Sequence, residues 1–223
     1  VVSCLRDINL CLDYINKKHG DEDIETGYFC DTGDHDLQYI WDLPEDPKVF
    51  KMLSRGETES VFQLNTTSVT PFVKKIQPQS IIDCATITSL VRPGPLDFVD
   101  ERTGRNMVEE YVERKFGRSR GDIPILDEML PETYGVLVFQ EQVTKLAKEL
   151  AGMSVIDAEN VRIAVGKKKM KLIQSLKPVF IEGASKKVGE ETATKIWDMM
   201  ETFARYGFNK SHSAAYAVIS YQT

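Results

Sequence analysis

Cysteine, histidine and long apolar runs are the scarce features of this 223-residue chain. The four cysteines are Cys4, Cys11, Cys30 and Cys84; none forms a C-x-x-C pair, and there are three histidines. That excludes the usual structural zinc spacings and fits reduced thiols in a reducing cytosol. No apolar run approaches the length of a membrane span, and the N-terminus has no signal-peptide pattern. No G-x-x-x-x-G-K-[ST] run exists, so a Walker-type phosphate loop is excluded. No internal repeat stands out, and strand-like segments are too few for a doubly wound sheet. What remains is a globular composition, 42% hydrophobic and 28% charged. The chain opens Val-Val-Ser and stops inside a helical pattern, so both ends look cut and it reads as a fragment.

The net charge of -6 speaks against nucleic acid only as a sum. Acid is concentrated in the first sixty residues, whereas Arg162, Lys167, Lys168, Lys169, Lys171, Lys177, Lys186 and Lys187 face only Glu182 between 162 and 187. An acidic protein can carry one basic working face.

The spacing predicts a mainly α-helical chain with a few short strands. Leu5, Ile8, Leu12 and Ile15 place a helix over 2–18, and 19–44 reads as an acidic irregular connection. Asp46-Pro47 is a helix start and Gly56 its stop. Val61–Leu64 reads as a short extended piece, and Val136–Phe139 as a short extended piece or a helix entry. Helices are expected near 68–76, 80–90, 104–117, 155–165, 168–187 and 190–205. Val143, Leu146, Ala147 and Leu150 form a further helical stripe, which Gly152 ends, and Ser154 can cap the next helix. Arg92-Pro93-Gly94-Pro95 breaks the chain sharply.

The most informative run is Tyr206-Gly207-Phe208-Asn209-Lys210-Ser211-His212-Ser213-Ala214-Ala215-Tyr216. Gly207 lets the backbone bend, Lys210 and His212 can reach phosphate or base edges, and Ala214 and Ala215 leave room for a ring. The plainer reading is a helix N-terminus capped by Ser211 or Ser213. A second run, Arg162 to Lys169, combines Gly166 with compact positive charge suited to phosphates; a solvated lysine-rich face is its plainer reading. Gln140, Glu141 and Gln142 put three polar side chains at a helix start, where Glu141 complements the dipole. Asp34-His35-Asp36 has the D-x-D spacing of a catalytic metal dyad, but its polar flanks favour a solvated acidic loop.

Five stretches, in order, resemble bacterial replicative polymerases of family C, the DNA polymerase III alpha-subunit family: Phe50–Leu64 (FKMLSRGETESVFQL), Leu90–Leu96 (LVRPGPL), Glu132–Gln142 (ETYGVLVFQEQ), Arg162–Lys169 (RIAVGKKK) and Phe203–Thr223 (FARYGFNKSHSAAYAVISYQT). The RPGP run looks like the common alpha-subunit form rather than the exonuclease-fused form. The resemblance implies a multi-helix fingers subdomain over 45–223, reached from an absent palm by the 1–18 helix. Fingers of this family bind the incoming deoxynucleoside triphosphate and close over the nascent base pair. By position, Arg162, Lys167, Lys168, Asn209, Lys210, Ser211 and His212 match nucleotide-binding residues. Arg92, Arg114 and Lys115 match positions suited to template or primer backbone. Ala214, Ala215 and Tyr216 match the wall of the base-pair pocket. Ile163 replaces the second arginine of the triphosphate motif, and Phe139 replaces a usual tyrosine. The resemblance places Mg²⁺ in the palm and no metal or catalytic residue in this segment. It implies primer–template DNA, deoxynucleoside triphosphates, a sliding clamp and other replisome subunits as partners of the full-length protein, in the cytoplasm. Ile163 leaves room for a non-catalytic nucleic-acid-binding module; a helical interaction domain without nucleotide is the third reading.

Overall fold

The computed structural model describes residues 45–100, 103–167, 169–203 and 206–223. The expected helix over 2–18, the acidic connection 19–44, the Asp34-His35-Asp36 run and Lys168 lie outside the described residues. The described residues form ten α-helices: α1 Pro47–Ser54, α2 Thr70–Ile76, α3 Ile81–Leu90, α4 Met107–Lys115, α5 Pro124–Met129, α6 Gln140–Lys145, α7 Val155–Gly166, α8 Met170–Val188, α9 Glu190–Phe203 and α10 Lys210–Gln222. No helix among them is long and apolar enough to cross a membrane.

The expected short strands are a correction. Among the described residues the only β pairing outside helices is two isolated bridges, Val99 with Asn106 and Phe139 with Phe208. Ser60 and Gln63 take left-handed φ of 68° and 63°, so Val61–Leu64 curls into a turn instead of extending. At Val136–Phe139 a side chain takes the ladder's place. The Gln142 carboxamide oxygen accepts from the backbone N–H of Val138 (2.8 Å) and Phe139 (3.0 Å). Its amide nitrogen donates to Thr133 Oγ1 at 2.7 Å, and that hydroxyl donates to the Val136 carbonyl at 2.7 Å. Gln142 is buried and uses both ends of its amide.

The chain divides into two compact units. The first joins the residues up to Thr88 with Ala214–Thr223. Here Asp46 caps α1 by accepting from Lys48 N–H at 2.8 Å, and Pro47 sits where no backbone donor is needed. Gly56 follows with φ 77° and ends the turn. Phe50, Leu53, Val61, Phe62, Leu64, Val73 and Ile76 are buried. The C-terminal residues pack onto them: Tyr221 lies 5.5 Å from the Phe50 ring and Tyr216 5.2 Å from the Phe62 ring. Ser220 Oγ donates to the Phe62 carbonyl at 2.8 Å.

The second unit is Ser89–Ser213. Its core runs through α5, α6, α7, α8 and α9, with Leu146, Val161, Phe180, Ile196, Trp197 and Met200 fully or nearly fully buried. Val143, Leu146, Ala147 and Leu150 are all inside, as the stripe requires, although the segment changes from α-helix to a π-helical turn over Leu146–Leu150. Helix α8 crosses this turn at Gly183, where an added Cβ would stand 1.9 Å from the Ala151 carbonyl oxygen. Only glycine permits that approach. Ser154 caps α7 by accepting from Asp157 N–H at 3.1 Å. Asn106 and Glu109 form a reciprocal capping box that starts α4.

Candidate nucleotide-binding surface

Helix α6 begins immediately after Phe139, which is fully buried and extended. Its first two side chains, Gln140 and Glu141, reach two segments distant in sequence. Gln140 accepts from Arg162 Nη1 at 3.0 Å and donates through Nε2 to the Gly207 carbonyl at 3.1 Å. Its backbone N–H donates to the Phe208 carbonyl at 2.9 Å, within the parallel bridge between Phe139 and Phe208. Glu141 does not serve the dipole of its own helix alone. Its carboxylate accepts from Asn209 Nδ2 and from the backbone N–H of Lys210, each at 2.9 Å. One carboxylate thus takes an N–H at the start of α10, a favourable place for negative charge.

The first turn of α10 is capped by neither serine. Asn209 Oδ1 accepts from His212 N–H at 2.9 Å, and Ser213 Oγ donates back to the Lys210 carbonyl. Gly207 lacks a positive φ, so its purpose is space rather than bending. A Cβ there would meet the Phe203 ring at 2.8 and 3.0 Å and Gln140 Cγ at 3.1 Å.

Both central cations have carboxylate partners. Arg162 donates to Glu159 through Nε and Nη2, the closest contact being 2.6 Å. The hydrogen bonds it donates to Glu159 hold the guanidinium proton more firmly than usual; burial opposes this, and the charges of Glu159 and Glu141 add to it. Lys210 Nζ lies 2.5 Å from Glu132 and 5.7 Å from the centre of the Phe139 ring. Arg162 and Lys210 side chains keep 27% and 33% of their exposure, enough to meet a ligand from solvent.

The other expected residues fall around or away from this network. Lys167 is exposed after α7, Ser211 and His212 are exposed on the first turn of α10, and the His212 ring sits 5.5 Å from Phe208. Arg92 is half-buried in the same unit; it donates to the carbonyls of Ser89 and Tyr206, and burial alone lowers its pKa. Arg114 belongs to another cluster, 2.7 Å from Glu110 with both side chains 9% exposed. Lys115 is half-buried on the same helix. A cavity of about 700 Å³, lined in part by Phe98, Met107, Leu126, Met199, Phe203 and Tyr206, takes only Arg114 from the expected set. Tyr216 is engaged with Phe62 within the first unit.

Sequence reading missed the integrating role of Gln140 and Glu141, although it marked them as a polar cluster. The available signal was three consecutive polar residues directly after a four-residue apolar run. The surface sets two cations, Arg162 and Lys210, against the carboxylates of Glu159, Glu141 and Glu132, so an anion reaches the cations by competing with those partners. Among the described residues no group of three His, Cys, Asp or Glu is placed to hold a metal ion.

The family model described as the bacterial DNA polymerase III alpha subunit finger domain matches residues 8–188. The DNA polymerase III subunit alpha of Aquifex aeolicus is 42% identical over 192 residues, 84% of this chain and 16% of that protein. Its counterpart from Thermus aquaticus is 42% identical over 182 residues, 80% of this chain and 15% of the relative. That of Escherichia coli K12 is 38% identical over 224 residues, 97% of this chain and 18% of the relative. The chain therefore spans less than a fifth of the length of these curated relatives. With the family model matching most of its residues, the chain belongs to the bacterial DNA polymerase III alpha subunit finger domain family.

Proposed function

We propose that this chain is the part of a template-directed DNA polymerase that receives the incoming deoxynucleoside triphosphate and the primer–template during chromosomal replication. One observation carries the reading: Arg162, Asn209 and Lys210, from two separate sequence motifs, meet on the adjacent side chains Gln140 and Glu141. Arg162 and Lys210 neutralise triphosphate charge, aided by Lys167, Lys168, Ser211 and His212. Arg92, Arg114 and Lys115 are assigned to the template or primer backbone. Arg92 and Arg114 also have internal partners, so each serves the fold as well as the assigned contact.

The family membership supports a nucleotidyltransferase as the full-length protein, acting in the cytoplasm with a sliding clamp and other replisome subunits. Mg²⁺ belongs to the palm in this reading. The contribution of this segment is charge stabilisation and placement, which dominate phosphoryl-type chemistry.

The test is single-turnover nucleotide incorporation by the full-length protein, wild type beside Arg162→Ala. Loss of one such charged contact costs about 2–4 kcal/mol of transition-state stabilisation. The variant is expected to retain primer–template affinity. An unchanged rate constant rejects Arg162 as a triphosphate contact. A well-folded wild type that binds primer–template without extending it supports instead the non-catalytic binding module that Ile163 suggests.

A further inference from the structure

We propose that Gln140 is a positioning residue, which holds Arg162 in register with the Gly207–Lys210 segment; this rests on the nucleotide-binding reading above. Gln140 is the only described side chain that hydrogen-bonds both to Arg162 and to the 207–210 backbone. Its oxygen takes Arg162 Nη1 at 3.0 Å and its nitrogen gives to the Gly207 carbonyl at 3.1 Å. An amide is the group for this task, because it carries an acceptor and a donor on one rigid plane. A carboxylate would lose the donor, and leucine would lose both. The backbone of the same residue is fixed to Phe208 by its own N–H. Gln140 therefore has little freedom to rotate while holding the guanidinium.

The restraint is specific to Arg162. Glu159 binds the same guanidinium from three residues away on the same helix, so it fixes the side chain only relative to α7. Gln140 is the contact that refers it to another element. Its neighbour Glu141 secures Asn209 and Lys210, so two consecutive residues index both cations to one backbone segment. Misplacement of a charged group by about 1 Å is enough to cost two orders of magnitude in a reaction rate.

The experiment is single-turnover incorporation by the full-length protein as wild type, Gln140→Leu, Arg162→Ala and the double variant. Gln140→Leu is expected to lower the incorporation rate constant roughly tenfold to a hundredfold, the range for a hydrogen bond to a charged group. Primer–template affinity and melting midpoint stay at wild-type values, and the double variant is no slower than Arg162→Ala. Losses that multiply in the double variant overturn the positioning role, as does a wild-type rate for Gln140→Leu. Where Gln140→Leu melts early, Gln140→Glu is read in its place, and its loss must likewise vanish in the Arg162→Ala background. If Arg162→Ala itself incorporates at the wild-type rate, the nucleotide-binding reading fails, and the role of Gln140 falls with it.

Discussion

The guanidinium of Arg92 lies over the ring of Phe208, its central carbon 4.9 Å from the ring centre. The same side chain donates to the carbonyls of Ser89 and Tyr206. The rigid Arg92-Pro93-Gly94-Pro95 turn and the Tyr206–Asn209 run, more than a hundred residues apart, are thus one local structure. Gly94 completes it: a Cβ at that position, with φ 101°, would stand 2.8 Å from the Tyr206 ring.

Gly207→Ala places a methyl against the Phe203 ring and Gln140 Cγ. Overpacking of this kind costs about 1–3 kcal/mol. Urea unfolding is expected to show a lower midpoint with an unchanged slope. Incorporation by the full-length variant falls as well, because the displaced neighbour is Gln140.

Arg114→Met removes the closest partner of a buried carboxylate. Breaking a buried pair costs about 3–5 kcal/mol, and the low end applies because Arg105 remains 3.4 Å from Glu110. The double variant Glu110→Leu with Arg114→Met recovers most of the loss. Chemical denaturation of the single and double variants is the check.

Gln142→Leu orphans the buried N–H groups of Val138 and Phe139. Each buried unsatisfied group costs about 1–3 kcal/mol. Amide hydrogen exchange is expected to accelerate at Val138 and Phe139 more than in α9. Uniform acceleration across the second unit would refute a local capping role.

Glu159 is held below the usual carboxylate range, chiefly by its hydrogen bond from Arg162. A lowered folded-state pKa contributes stability that is complete above the unfolded value of about 4.3 and lost as the pH falls through the folded value. The melting midpoints of wild type and Glu159→Gln therefore differ at pH 7 and converge in acid. The difference is small, since the Glu159 side chain is 45% exposed.

Elements with local signals were legible in the sequence. Asp46-Pro47, Ser154 and the 143–150 stripe each state a helix boundary or face through residues a few positions apart, and the helices follow them. Val136–Phe139 is the helix entry its sequence allowed rather than a strand, because the side chain of Gln142 on the next helix captures the N–H donors of Val138 and Phe139. Asn209 displaced Ser211 and Ser213 as cap because its amide also reaches Glu141, a partner sixty-eight positions away. Gly207 looked like a hinge in isolation; its neighbours Phe203 and Gln140 show that it is a spacer. Residue types at the candidate surface were readable, but the contacts that organise it are long-range in sequence.

The carboxylates of Glu159 and Glu132 make Arg162 and Lys210 a guarded pair. An arriving anion gains only the difference between its own attraction and that of the partner it displaces. A singly charged ion, such as chloride, offers little advantage over a carboxylate already in place. Under the proposed function, a triphosphate brings several charges on one molecule to meet both partners together. In the proposed role, therefore, the nucleotide is admitted by its charge density, and Glu159 and Glu132 are what set that requirement.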